Sequence, residues 1–329
     1  MRVLVTGGAG YIGSQMVRQL SDKKIDVVVV DSLENGHRAA VAPNVPLLVG
    51  NIGDASFLRE VFSRYTFDAV MHFAGYIEMK ESMENPGKYF RNNSAYTNQL
   101  LDAMIQANVK RFVFSSSAGV YGNPTQVPIP ESHSTIPTNP YGESKLMVEK
   151  MLAWYDMSFG LRSICLRYFN ASGAMVGGSF GEDHPTESHI IPLALRAALA
   201  GKSFKLFGDD YPTRDGTCVR DYVHVVDLCD AHLHALDALM NGHATTVYNA
   251  GIGRGYSNRE ILDAARRISG IDFPIELMPR RPGDANESVA DTSRLRQEFG
   301  WQPRYSELET IIGSAWQWHK THPKGYADK

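Results

Sequence analysis

Residues 2–31, RVLVTGGAGYIGSQMVRQLSDKKIDVVVVD, contain the pattern that decides the fold. Arg2–Thr6 is a short apolar run that reads as a strand. It ends in a glycine cluster, and Gly13–Leu20 then follows helical spacing with Ile12, Met16, Val17 and Leu20 on one side. Asp26–Asp31 is continuous and β-branched, as a strand buried on both faces should be. Working outward, strand-like runs recur at Val45–Val49, Ala69–Phe73, Arg111–Ser115 and Ser163–Tyr168, separated by helical stretches that include Tyr89–Asn108 and Tyr141–Phe159. This alternation predicts an α/β fold, a doubly wound parallel sheet of the Rossmann type.

Beyond residue 170 the pattern changes. Ala171–Ser188 reads as a loop, followed by a helix at Ile190–Ala200, a Gly-, Asp- and Pro-rich connection at Gly208–Gly216, a strand at Tyr222–Val226 and a helix at Leu228–Met240. One further clear helix is expected, Asn258–Ser269. The expected division is a nucleotide-binding domain over 1–170, rejoined by about 218–245, and a smaller α/β lobe over 171–329, with substrate in the cleft between them.

Composition narrows the function. Hydrophobic residues at 43% and charged residues at 21% describe an ordinary globular chain rather than a disordered one. Lys plus Arg (33) nearly cancels Asp plus Glu (36), so no basic excess is available to neutralise nucleic-acid phosphates. No run of 18 apolar residues predicts a membrane-spanning helix, and the strand beginning at Arg2 leaves no room for a signal peptide. Cys165, Cys218 and Cys229 are too widely spaced for a disulfide framework and suit a reducing cytoplasm. Among the 11 histidines, His224, His232 and His234 match no zinc spacing, and no metal site is expected.

The segment Thr6–Gly13 (TGGAGYIG) satisfies G-x-G-x-x-G through Gly8, Gly10 and Gly13, and G-x-x-G-x-x-G through Gly7, Gly10 and Gly13. Glycine lets the backbone turn tightly against a pyrophosphate, which then lies at a helix N-terminus. Asp31, 18 residues beyond Gly13, ends the second strand. A carboxylate there accepts from an adenosine ribose and repels a 2′-phosphate, so NAD is expected over NADP.

Tyr141 and Lys145 lie four apart at the head of a helical pattern, YGESKLMVEKML, on one face with bases about 5–6 Å apart. A tyrosine near pKa ~10 is a poor base. A neighbouring ammonium favours the phenolate, so a lowered Tyr141 pKa is expected. Such pairs are common on exposed helices. This one is singled out by Ser115-Ser116-Ser117 after the Arg111–Phe114 strand, because the carboxyl ends of parallel strands face the ligand crevice.

Thr6–Gly13, Asn92-Asn93, SSSAGVYG (115–122), Tyr141–Lys145 and RYFN (167–170) together resemble the extended short-chain dehydrogenase/reductases. More narrowly, GEDHPTESHIIPL (181–193), FGDDYPTRDGTCVRDYVHV (207–225), PRRPGD (279–284) and WHKTHPKGY (318–326) resemble the UDP-glucose (UDP-galactose) 4-epimerases. The resemblance implies that Ser117, Tyr141 and Lys145 are catalytic. It implies NAD contacts from Gly7, Gly10, Tyr11, Ile12, Gly13, Asp31, Asn51, Ile52, Phe73, Ala74, Gly75, Asn92, Ser115, Tyr141, Lys145 and Tyr168. For a UDP-hexose it implies Ser117, Tyr141, Asn170, His189, Ile190, Phe207, Arg220, Arg281, Asp284 and Ser288, with the arginines on the diphosphate. Small Ser288, where other members are bulky, implies that 2-N-acetyl sugars are admitted.

The sequence departs from the family pattern at Asn51 (aspartate expected, with Asp54 close), Ile77 (lysine in some members), Gly119 (commonly threonine) and His189 (asparagine in some). The implied reaction is reversible 4-epimerisation through a 4-keto sugar with retained NAD. A 4,6-dehydratase would carry Asp-Glu where this chain has Ala118-Gly119. Epimerases of UDP-xylose/UDP-arabinose or UDP-glucuronate, and an NAD-binding sensor, are the other readings. The resemblance also implies a homodimer in which Tyr96–Ala107 and Leu146–Tyr155 pair with a second subunit; the alternative is that their apolar positions face the chain's own sheet. Arg220 and Arg281 could alternatively serve structural ion pairs with Asp221 or Asp284.

Overall fold

The computed structural model describes residues 1–281 and 283–327. In chain order, strand β1 (Arg2–Thr6) leads into α1 (Tyr11–Asp22), β2 (Asp26–Asp31), β3 (Leu47–Val49), α2 (Ala55–Arg64), β4 (Ala69–His72), α3 (Met79–Glu84) and α4 (Pro86–Tyr89). A π-helical segment (Phe90–Ala95) joins α4 to α5 (Tyr96–Gln106), followed by β5 (Arg111–Ser117), a 3₁₀ turn (Ala118–Tyr121), α6 (Pro140–Phe159) and β6 (Arg162–Tyr168). Then come β7 (Asn170–Ser172), α7 (Ile190–Ala200), β8 (Phe204–Phe207), β9 (Val219–His224), α8 (Val225–Met240), β10 (Thr246–Ala250), β11 (Gly255–Ser257) and α9 (Asn258–Ser269). The chain closes with β12 (Ile275–Met278), β13 (Glu287–Ser288), α10 (Ser293–Phe299) and α11 (Leu308–Thr321).

Seven strands form one parallel sheet in the order β10-β6-β5-β4-β1-β2-β3. Its inner strands are buried on both faces: Val3–Val5 and Ala69–Met71 have no exposure. That burial is why they read as unbroken apolar runs. Strand order reverses at β1, with β2 on one side and β4 on the other, and α1 and α2 pack into different cores, so a crevice opens at the carboxyl ends of β1 and β4. Strand β3 starts at Leu47 rather than the expected Val45. Pro46 has no N–H to give, and its carbonyl accepts from Val29 N instead (2.8 Å).

The second half differs from expectation more. Strand β7 opens the stretch expected to be all loop, pairing with β9 beside β11 and β13. Two helices, α10 and α11, stand where none was expected after α9. The reason is packing. Ile311, Ile312 and Ala315 of α11 join Leu195 of α7 and Ile261 and Leu262 of α9 in one core, a long-range union that a single helix pattern does not announce. The α8 helix returns to the first sheet, where Leu228 and Leu236 share a core with Val3 and Val5. Among the described residues, no helix is long and apolar enough to cross a membrane.

Candidate active site at the carboxyl edge of the parallel sheet

The turn between β1 and α1 is built so that only glycine fits. Gly7 has φ +71°, and a Cβ there would lie 2.5 Å from the Ala74 nitrogen. At Gly13 a Cβ would stand 2.0 Å from the Gly7 carbonyl oxygen. The helix starts at Gly10 with no side-chain cap and no acid in its first turn. Its free N–H groups and positive end face the crevice without an internal counter-charge, a cradle suited to a diphosphate. Asp31 is buried at the end of β2, where Oδ2 accepts from Ala9 N (2.9 Å) and Oδ1 from Leu33 N (2.8 Å). Burial raises its pKa while those amides lower it. The carboxylate therefore also braces the glycine turn.

Phe73, Ala74 and Gly75 follow β4 in the same crevice. Phe73 packs on the His232 ring at 4.9 Å, and a Cβ on Gly75 would lie 3.5 Å from Lys145 Nζ. Tyr11 reaches across the turn to donate to the Gly173 carbonyl (2.6 Å), and Ile12 packs into the sheet core. Asn51 and Ile52 lie beyond β3: Asn51 Oδ1 accepts from Gly53 N (2.7 Å), and Asp54 caps α2. Neither carboxamide nor carboxylate there is without work, which explains how the departure at Asn51 is tolerated. Asn92 donates to Asn93 Oδ1 (3.1 Å), while Asn93 is bound to Tyr76 and Ser144.

Strand alternation sorts the three serines. Ser116 points to one face and donates to Glu149, which is itself paired with Arg167 at 2.6 Å in a buried bridge. Ser115 and Ser117 point to the other face. The Ser115 carbonyl accepts from Lys145 Nζ (3.0 Å), and its hydroxyl meets His232 Nε2 (3.1 Å). Ser117 Oγ accepts from Gly119 N (3.0 Å) and lies near enough to the Tyr141 phenol to lower its pKa. With Gly119 in place of a larger residue, the wall beside Ser117 and Tyr141 is open; a Cβ there would come within 3.2 Å of Ser117 Oγ.

Tyr141 and Lys145 occupy the first turns of α6, which Pro140 starts and Asn139 caps by accepting from Gly142 N (2.9 Å). Both are buried. The lowered Tyr141 pKa expected from the spacing is absent from the protein alone. Burial pushes the phenol up, the Ser117 hydroxyl pulls it down and the Glu78 charge adds to the rise. Lys145 does not offset this because its ammonium is spent on the Ser115 carbonyl, 6.0 Å from the tyrosine ring centre, and is itself lowered to about 8 by burial.

The residues expected to hold substrate come from the second sheet and its loops. Asn170 donates to the Asp221 carbonyl (2.9 Å) and lines a small cavity with His189, Ile190 and Tyr222. Arg281 stacks over Phe207 at 3.9 Å. Arg220 pairs in register with Ser288 across β9 and β13, donates to the Ala285 carbonyl (2.8 Å) and lies 3.7 Å from Asp284. Asp284 also borders a hollow of about 570 Å³ beside Asn123–Thr125. Pairing of Arg220 with Asp221 does not occur, since the Asp221 carboxylate accepts from the backbone of Ile252, Gly253 and Ala290. Pro282 of the PRRPGD motif lies outside the described residues.

The model of the NAD dependent epimerase/dehydratase family matches residues 3–251. The chain belongs to that family. It is 49% identical to a UDP-glucose 4-epimerase of Lacticaseibacillus casei over the whole of both chains. Among solved structures, a UDP-glucose 4-epimerase crystal structure superimposes with a TM-score of 0.97 at 45% identity, covering 99% of each chain. The epimerase of Bifidobacterium longum in complex with NAD+ and UDP gives a TM-score of 0.94 at 37% identity, over 99% of this chain and 100% of that one.

For a member of this epimerase family, sequence reading overlooked three buried groups. His72 lies under the glycine turn between Thr6 (2.6 Å) and Thr97 (2.9 Å), His232 orients Ser115, and Glu149 takes the middle serine. Their partners are 25 to 117 residues away, so no local spacing marks them. The three histidines weighed together as a cluster go to separate places: His232 to Ser115, His224 to Ser314 and His234 toward Asp230.

Proposed function

We propose that this chain interconverts UDP-glucose and UDP-galactose by 4-epimerisation, using a retained NAD, and that it also accepts UDP-GlcNAc and UDP-GalNAc. The observation that carries the reading is the convergence of Ser117, Tyr141 and Lys145 on one crevice with a glycine turn into which no Cβ fits. Gly7, Gly10 and Gly13 would hold the dinucleotide diphosphate, Asp31 its adenosine ribose, and Lys145 the nicotinamide ribose. Bound there, the oxidised nicotinamide supplies a hydride acceptor for sugar carbon 4 and a positive charge that draws down the raised Tyr141 pKa.

Tyr141 takes the proton of the 4-hydroxyl as general base, and Ser117 holds that hydroxyl beside the phenol. Arg220, Arg281 and Asn170 anchor UDP, with Phe207 beside the base, while the sugar is left loosely held. The 4-keto sugar then turns about its link to the diphosphate, so that the hydride would return to the opposite face of carbon 4 while Tyr141 returns the proton to its oxygen. The second lobe, broadly 171–329 without the stretch that rejoins the first sheet, is assigned to UDP. Buried thiols at Cys165, Cys218 and Cys229 fit a reducing compartment, and the cytoplasm is the proposed location.

The deciding experiment is a coupled assay of purified protein with UDP-galactose and no added NAD, repeated with UDP-GalNAc. Conversion of the first establishes the epimerase and its retained cofactor, and conversion of the second the wider scope. Turnover of neither, even with NAD supplied, would overturn the proposal and point to another UDP-sugar or to a sensor.

A further inference from the structure

The loop between β7 and α7 gathers four side chains that the reaction above does not require. Glu182, His184, Glu187 and His189 each turn one ligand-type atom inward, and the four atoms lie within 4.8 Å of one another. Glu182 Oε1, His184 Nδ1, Glu187 Oε2 and His189 Nδ1 are buried, and none has a hydrogen-bond partner outside the cluster. The two carboxylate side chains are only 5% and 3% exposed. Oxygen and nitrogen lone pairs left unpaired at that depth are costly unless something positive sits among them.

Glu187 is aimed rather than merely close. Its other oxygen, Oε1, accepts from the backbone N–H groups of Ser188 and His189 at 2.9 Å each, which fixes the carboxylate and leaves Oε2 facing the cluster. Arg196 stands 3.8 Å from Oε2, beyond hydrogen-bond reach. His184 Nδ1 lies 3.4 Å from Glu182 and 3.7 Å from Glu187, and His189 Nδ1 lies 2.6 Å from Glu182. Four ligands about 2.0–2.2 Å from a tetrahedral zinc ion are about 3.4 Å apart. The side chains are already near that spacing.

We infer that Glu182, His184, Glu187 and His189 form a structural site for one divalent first-row transition ion, Zn²⁺ foremost, which pins this loop beside the glycine turn. Two imidazoles and two carboxylates suit that class of ion, and four protein ligands close the site to substrate. The link to the turn is Tyr11, whose ring lies edge-on to His184 at 6.5 Å and whose hydroxyl holds Gly173 of the same loop. The expectation of no metal rests on the spacing of His224, His232 and His234; the E-x-H-x-x-E-x-H stretch does not enter it and matches no common zinc motif.

The test uses the full-length protein, purified without a metal-affinity column and analysed for bound metal by mass spectrometry. It is then stripped with a chelator and titrated with Zn²⁺ alone, with Mg²⁺ as the control ion. About one zinc per chain is expected, with Tm raised by roughly 5 °C in excess Zn²⁺. Glu187→Gln, which keeps volume and the Oε1 acceptor, should weaken Zn²⁺ binding by more than about 100-fold and abolish the Tm rise. His184→Gln should do the same and stands in if the first variant does not fold. Co²⁺ in the stripped protein should give the intense visible absorption of four-coordinate cobalt. No saturable Zn²⁺ uptake with unchanged Tm, or equal uptake by both variants, would overturn the site and leave two ion pairs with protonated histidines. None of these readouts depends on epimerase turnover.

Discussion

At the residue scale, Tyr141 combines deep burial, one hydroxyl neighbour and a lysine on its own helix turned elsewhere. Its pKa in the protein alone is raised, so its proposed use as a base would depend on positive charge brought by the bound cofactor. Tyr141→Phe removes the proton acceptor and little volume. It should lower kcat by about 10²–10⁴-fold while NAD absorbance of the purified protein stays unchanged. A second prediction concerns the pocket wall. Ser288 pairs in register with Arg220, the proposed diphosphate anchor, so a large side chain there would fill space beside the sugar. Ser288→Tyr should abolish turnover of UDP-GalNAc and spare UDP-galactose, read in parallel assays; equal loss of both would argue against a gate at this position. Tyr141, Lys145 and Asp31 were legible in the sequence because their meaning lies in spacing within one turn or one strand–helix unit. His72, His232 and Glu149 were not, because each acquires its partner only when distant segments meet.

At the element scale, the helix that carries the proposed catalytic pair is set by its first turn. Asn139 caps α6, and Gly142 lets that turn press on the 3₁₀ segment after β5, where a Cβ would stand 2.5 Å from the Gly119 carbonyl. Gly142→Ala should therefore displace Tyr141 from Ser117. A misplacement near 1 Å can cost about 10²-fold in rate, so kcat should fall by at least about tenfold with far-ultraviolet circular dichroism unchanged. The same scale shows why local reading separated the serines poorly. Period-two alternation in β5 sends Ser116 to Glu149 and its neighbours to the crevice, and this became apparent only with the strand's full extent, Arg111–Ser117. The helical pattern at Tyr89–Asn108 is likewise broken in the structure by the π segment Phe90–Ala95, which carries Asn92 and Asn93.

At the scale of the whole molecule, four histidines are buried as neutral rings. Burial lowers His72 to about 3 and His224, His232 and His319 to about 4. The unfolded chain binds these protons near pH 6.5 and the native one does not, so stability present above pH 6.5 is lost as pH falls toward 4. At pH 5 the loss is about 2 kcal/mol per histidine. Asp221, raised to about 6 by burial, and Asp31, also raised by burial, work in the opposite sense in this range, while the raised His184 and His189 add little below pH 6.5, where the unfolded chain is protonated as well. Tm should fall clearly between pH 7 and pH 5, and a flat profile would contradict the neutral burial of these rings. Assembly is a separate expectation. Helix α6 exposes Met147, Trp154 and Met157, with Trp154 65% exposed. A homodimer covering this face should appear in sedimentation velocity, and Trp154→Asp should return it to monomer without unfolding.

The sequence by itself determined the parallel sheet, the glycine turn with Asp31, and the Tyr141–Lys145 pair, since each depends on periodicity or spacing over a few turns of chain. Tertiary structure alone decided that α11 and α10 form, that Lys145 serves a carbonyl rather than Tyr141, and that two glutamates and two histidines converge behind Tyr11. Burial and long-range contact set those outcomes. Neither quantity is carried by any short stretch of sequence.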